Sequence, residues 1–217
     1  MTESEARLLI CEIGRRMWEK GWVAANDGNL SVRLENGTVL TTPTGVSKGF
    51  LRPELLVAVD GETGRVRSPG AGGLAPSSEL GMHLTCYALR PGAGGVVHAH
   101  PPAATAFACA RLPIHRPILG ETLMTLGEIP VTAYAQSGTP ALPQALAPLI
   151  PHHDGVLLAN HGAVTLGPDL ETAYFRMESV EHTARIHLNA RLLGGGVELT
   201  PEEAAALRRP GGKEKTT

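Results

Sequence analysis

The sequence predicts one domain of the α/β or α+β class, with helices covering the faces of a mixed or antiparallel sheet. Three observations lead there. Helix-period and strand-period stretches alternate along the chain. An Asn36-Gly37 dipeptide between two alternating apolar runs is a strong hairpin signal, so the sheet has an antiparallel pair early on. No internal repeat and no linker-like stretch divides the 217 residues, a length that suits one large domain.

The elements follow in order. Thr2 and Glu5 have capping-box spacing, and Ala6, Leu9, Ile10, Ile13 and Met17 then form a helical apolar stripe that Gly21 stops. "NLSVRLENGTVLTT" is the hairpin, and "LLVAVDGETGRV" is a further strand and turn. A helix begins at Ser77 or Ser78 after Pro76, a buried strand covers 94–100, and helices follow near 102–110 and 118–126. "IPVTAY" (129–134) reads as a strand, 139–150 as helical, and "GVLLANHGAV" (155–164) as a buried strand leading into a loop. A long helix, 169–193, ends at Gly194-Gly195-Gly196, and a short one follows Pro201. The expected division is a main domain over 1–196, with a short helix and mobile tail over 197–217.

Composition narrows the function classes. Hydrophobic residues make up 42 % of the chain, enough for a packed core, and the net charge of −2 leaves no electrostatic footprint for nucleic acid or an anionic membrane. Three widely spaced cysteines, Cys11, Cys86 and Cys109, do not form a disulfide framework and read as small core residues of a reduced compartment. Neither a signal-peptide core nor a membrane-length apolar run is present in the sequence, so the expectation is a soluble, cytoplasmic protein.

The chemistry concentrates where strands end. In "GGVVHAHPP" (94–102), His98 and His100 lie two residues apart, so a strand places both on one face, roughly 6.6 Å apart. His161, in "ANHGAV", precedes Gly162, where the backbone can turn tightly or let other groups approach. Three histidines with an open position form a catalytic zinc arrangement; the same residues also read as three separately satisfied histidines, and spacing alone leaves both open. "APSSEL" (75–80) places two hydroxyls and Glu79 at a helix start. That makes either an anion site with a nearby carboxylate or ordinary capping. "DGNLS" (27–31) and "TPTG" (42–45) are Gly-rich turns suited to a phosphate.

Taken in order, "GNLS", "TPTG", "PSSE", "HAH" and "NHG" resemble the class II aldolase/adducin-head family, nearest its L-fuculose-1-phosphate aldolase branch, over about residues 5–195. The resemblance implies a three-layer α/β/α fold around a central, largely antiparallel sheet, and a homotetramer with active sites between subunits. It implies that His98, His100 and His161 hold Zn²⁺. Glu79 is then the catalytic acid/base and also a zinc ligand when substrate is absent. Asn29, Thr44, Gly45, Ser77 and Ser78 line the phosphate pocket. The implied reaction is cleavage of L-fuculose 1-phosphate, or a similar ketose 1-phosphate, to dihydroxyacetone phosphate and an aldehyde such as L-lactaldehyde. The residue types suit it, because cleavage leaves a carbanion beside a carbonyl that a metal stabilises and a carboxylate protonates.

The chain departs from that branch at the aldehyde end. The branch uses two tyrosines from a neighbouring subunit; here "IHRPILGETL" (114–123) replaces one, and the tail "RRPGGKEKTT" lacks the other. Glu121 is a substitute donor or a surface helix residue, and Ser137 stands where the family has an aromatic. A methylthioribulose-1-phosphate dehydratase keeps the Glu and three His, and "VSKGFL" (46–51) is compatible with it. A sugar-phosphate epimerase of this fold carries Asp where Glu79 stands, and a non-catalytic adducin-like head needs no open metal site. His83, four residues after Glu79, reads as a core residue or one that supports the site from behind.

Overall fold

Thr2 caps the first helix, α1 (Glu3–Glu19), with both halves of the expected capping box formed. In the computed structural model, which describes residues 1–207, seven strands then build one sheet: β1 (Asn29–Arg33), β2 (Thr38–Thr41), β3 (Val57–Asp60), β4 (Val66–Ser68), β5 (Gly95–Ala99), β6 (Gly155–Leu158) and β7 (Gly162–Gly167). The strand order is β4-β3-β2-β1-β5-β7-β6, and every neighbouring pair is antiparallel. The remaining helices are α2 (Leu80–Leu89), α3 (Pro102–Ala110), α4 (Gly120–Thr125), α5 (Ala141–Leu146), α6 (Leu170–Leu192) and α7 (Pro201–Leu207).

Alternation along the strands splits the core between the two faces. On one face Leu30, Val97 and Ala163 pack with Ile10 and Ile13 of α1, Phe107 of α3 and Met177 of α6. On the other, Val39, Val96 and Val164 pack with Met82 and Cys86 of α2 and Leu142 of α5. The result is the three-layer α/β/α arrangement expected.

Four readings need correction. Residues 129–134 form isolated bridges, Ile114 with Ile129 and Val131 with Leu157, rather than a strand. Pro130 has no N–H to donate, so a continuous ladder cannot run through it. Residues 155–164 are a strand, a tight turn at Asn160 (φ 56°) and a second strand rather than a loop, since Val164 and Leu166 continue the buried alternation. The helix after Pro76 starts at Leu80, with Glu79 as its cap residue, because Ser78 and Glu79 are in a turn. Of the cysteines only Cys86 is buried; Cys11 is half-buried and Cys109 exposed. The short helix after Pro201 is present, and the expected mobile tail lies outside the described residues from 208 onward. Among the described residues no helix is long and apolar enough to cross a membrane.

One buried carboxylate belongs to the scaffold. α3 begins at Pro101-Pro102, which offer no capping side chain, and Glu181 of α6 reaches across to accept from the Ala103 and Ala104 amides at 3.3 and 2.9 Å. Glu181→Ala leaves both donors unpaired and removes an anion from a helix N-terminus. The expected loss is about 2 kcal/mol, or roughly 4–8 °C in Tm for a chain of this size, read by thermal unfolding.

Candidate metal and phosphate site

The antiparallel pairing of β1 with β5 sets Asn29 opposite His98, and the turn between β6 and β7 brings His161 to the same end of the sheet. A second pairing carries the loops. Thr44 N donates to Ala75 O at 3.1 Å and Ser77 N to Thr42 O at 3.1 Å, which lays "TPTG" alongside "PSSE". Segments far apart in sequence thereby enclose a cavity of ≈ 270 Å³. Asn29, Thr44, Gly45, Ser77, Ser78, Glu79, His100 and His161 line it, and His98 is fully buried behind them.

The three imidazoles converge. One ligand nitrogen from each of His98, His100 and His161 lies within 4.8 Å of the others. His98 Nδ1 donates to the Ala163 carbonyl at 2.9 Å, which fixes the tautomer and leaves the Nε2 lone pair facing the cluster. His98 Nε2 and His100 Nε2 are 3.2 Å apart. Two nitrogens held tetrahedrally by one ion at about 2.0–2.1 Å sit roughly 3.3 Å apart, so the spacing fits a shared metal. Burial is the largest cause that pushes His161 down to about 4 and lowers His100 as well, a direction that favours the neutral, metal-binding form of both rings.

Glu79 sits across this cluster. Its Oε2 is 3.2 Å from His98 Nε2 and its Oε1 3.4 Å from His161 Nε2. Asn29 Nδ2 donates to Oε2 at 2.9 Å, whereas Oε1 is buried and has no hydrogen-bond partner among the described residues. A buried, unpaired carboxylate oxygen is costly, and a cation is the partner its chemistry calls for. Burial raises the carboxyl's affinity for a proton, whereas positive charge at the imidazole cluster and the Asn29 amide bond lower it, and the balance holds Glu79 below the usual carboxylate range. The donor set therefore fits a divalent ion.

Two glycines are required by close approach. A Cβ on Gly162 would lie 2.5 Å from the Ala99 carbonyl oxygen and 2.6 Å from His100 Cδ2. Gly28, at φ 70°, would place one 2.8 Å from the His98 carbonyl oxygen. Gly162→Ala has to displace His100, and the expected result is a roughly 10–100-fold weaker metal affinity, measured by chelator competition.

Ser77 takes the amides of Glu79 and Leu80 itself, through Oγ at 3.2 Å and its carbonyl at 3.0 Å, as in the capping alternative that the sequence leaves open. Ser77 and Ser78 nevertheless line the cavity with Asn29, Thr44 and Gly45. Lys48 also lines it, with 2 % of its surface exposed; its Nζ donates to the Asn26 and Val46 carbonyls at 2.6 and 2.8 Å and ties the two turns together. Burial lowers Lys48 to about 8, against the pull of Asp27 and Glu79. Asp27 Oδ2 lies 3.4 Å from His100 Nδ1 and orients that ring. Sequence reasoning assigned neither residue a role. Their signals were an Asp directly before "GN" and a lysine three positions past "TPTG". Glu121 is exposed on α4 and does not line this cavity.

A family model described as "Class II Aldolase and Adducin N-terminal domain" matches residues 9–188. The chain is 34 % identical over 191 residues to the 3-oxo-tetronate 4-phosphate decarboxylase of Pectobacterium atrosepticum, covering 85 % of this chain and 84 % of that one. It is 33 % identical over 209 residues to the methylthioribulose-1-phosphate dehydratase of Granulibacter bethesdensis, covering 87 % and 93 %. A solved L-fuculose 1-phosphate aldolase superposes with a TM-score of 0.87 at 30 % identity, covering 95 % of this chain and 96 % of that one.

Proposed function

The chain belongs to the class II aldolase and adducin N-terminal domain family, and on that premise we propose that it is a zinc-dependent carbon–carbon lyase that decarboxylates a phosphorylated four-carbon 3-oxo sugar acid. The observation that carries the lyase reading is Glu79 Oε1, a buried carboxylate oxygen unpaired among the described residues, at the rim of three converging imidazoles and a phosphate-sized cavity. His98, His100 and His161 would hold the ion, and an all-imidazole set with an open position suits zinc. The bound ion supplies Lewis-acid stabilisation of negative charge on the substrate's carbonyl oxygen.

The chain's own groups do the rest. Asn29, Thr44, Ser77 and Ser78 anchor the phosphate and fix the reacting carbons next to Glu79. In a 3-oxo-tetronate 4-phosphate the C1–C2 bond breaks, C1 leaves as CO₂, and the electron pair passes from C2 toward the C3 carbonyl. Glu79 then passes a proton taken up from solvent to C2, giving dihydroxyacetone phosphate. Aldol cleavage generates the same three-carbon fragment but also needs a proton handled on the aldehyde oxygen.

Support for decarboxylation comes from the tyrosines. Tyr87 is buried in a hydrogen-bonded chain, Tyr174 bonds Glu178, and Tyr134 is 61 % exposed; none lines the cavity. Relatives named for decarboxylation match at 34 % identity. A second reading, L-fuculose 1-phosphate aldolase, is favoured by the ordered motif set and requires an aldehyde-side proton donor from another copy of the chain.

The test is turnover of 3-oxo-tetronate 4-phosphate against L-fuculose 1-phosphate, with CO₂ and dihydroxyacetone phosphate followed in zinc-loaded protein. CO₂ release that a chelator stops supports the decarboxylase. Lactaldehyde from the fuculose ester without CO₂ from the acid moves the assignment to the aldolase. Absence of deuterium exchange into dihydroxyacetone phosphate in D₂O removes both. We further propose a cytoplasmic homotetramer with sites between subunits, to be checked by sedimentation.

A further inference from the structure

His83 is fully buried four residues after Glu79 and takes no part in the proposed chemistry. It nevertheless connects to the site through one unbroken chain of hydrogen bonds. Asn29 Nδ2 meets Glu79 Oε2 at 2.9 Å, and Asn29 Oδ1 meets His83 Nε2 at 2.5 Å. His83 Nδ1 meets Ser31 Oγ at 2.7 Å, and Ser31 Oγ meets the Tyr87 hydroxyl at 2.8 Å.

Every proton in this chain has one consistent place. An ionised Glu79 only accepts, so the Asn29 amide nitrogen must face it. The Asn29 oxygen then faces His83 Nε2, which must carry the ring's proton. Nδ1 is left as an acceptor, so the Ser31 hydroxyl donates to it, and Ser31 Oγ accepts from Tyr87. The opposite amide orientation would set an oxygen 2.9 Å from the Glu79 carboxylate and an NH₂ against an N–H. Burial also holds His83 neutral, lowered to about 3, which keeps Nδ1 free to accept.

The structure assigns His83 as a positioning residue: its Nε2–H locks the Asn29 amide so that the NH₂ holds Glu79 Oε2 and leaves Oε1 turned to the reacting carbon. This rests on the reading of Glu79 as the proton-transfer carboxylate. Asn29 then serves two purposes at once, because the same side chain lines the phosphate cavity. A slip in its orientation disturbs the base and the substrate together.

The experiment has two arms. In full-length zinc-loaded protein labelled with ¹⁵N-histidine, long-range ¹H–¹⁵N correlation reads the tautomer of His83, identified by its loss in His83→Gln. The Nε2–H tautomer at neutral pH is expected; an Nδ1–H ring or an imidazolium overturns the assignment. In the second arm, deuterium exchange into dihydroxyacetone phosphate is compared across variants. His83→Phe should slow exchange by roughly 10²-fold with zinc still bound. His83→Gln, whose amide nitrogen can replace the Nε2 donor, should recover most of that loss. A folded, zinc-loaded His83→Phe at the unsubstituted rate, or a His83→Gln no better than it, overturns the positioning role. Should the Phe variant not fold, the tautomer of the unsubstituted chain decides. Missing exchange in the unsubstituted protein overturns the Glu79 reading instead, and shows before any variant is made.

Discussion

Glu79→Gln is expected to leave a folded, metal-loaded protein whose proton transfer is lost. The substitution keeps shape and volume, and the amide oxygen can still accept the Asn29 hydrogen bond that Glu79 Oε2 receives at 2.9 Å. It removes the charge and the capacity to take up and release a proton. Positioned acid–base groups contribute about 10²–10⁴-fold, and deuterium exchange into dihydroxyacetone phosphate should fall by that range. Metal content, measured on the same sample, should stay near one ion per chain if the three histidines carry most of the affinity. Unchanged exchange with full metal content would end the role of Glu79 as the base.

His98→Ala has a larger effect, because it removes metal and activity together. His98 is the only one of the three imidazoles with no exposed surface, and its ring is fixed by the Ala163 carbonyl. Two remaining imidazoles, both only partly buried, are too few for a catalytic site. Zinc stoichiometry should collapse and turnover with it. The truncation also leaves a cavity and removes the ring's hydrogen bond to the Ala163 carbonyl, so thermal stability should fall by about 1–3 kcal/mol even for the metal-free protein. A variant that is metal-free and fully active would take the metal out of the reaction.

Much of the architecture was readable because local signals agreed with one another. The capping box at Thr2 and Glu5 and the Asn36-Gly37 turn are short-range devices, and each appears where its residues sit. The readings that failed depend on distant partners. Whether 129–134 pairs as a strand depends on Pro130 meeting Leu157, and whether 162–167 is loop or strand depends on β5 lying beside it. The exact start of α2 depends on Ser77 bonding the amides of Glu79 and Leu80.

The candidate site divides the same way. By itself the sequence determined which residue types were available: an H-x-H at a strand end, a third histidine before a glycine, a carboxylate after two serines, and two Gly-rich turns in a recognisable order. Periodicity is enough for this, since a strand puts residues i and i+2 on one face whatever lies around it. Only the tertiary structure decided that the three imidazoles meet within 4.8 Å, that Lys48 and Asp27 join them, and that His83 reaches Glu79 through Asn29. Those relations join residues dozens of positions apart, and the antiparallel register of β1, β5 and β7 creates them. A hydrogen bond extends about 3 Å in space and carries no trace along the chain, so its partner becomes visible only once the sheet has closed the distance.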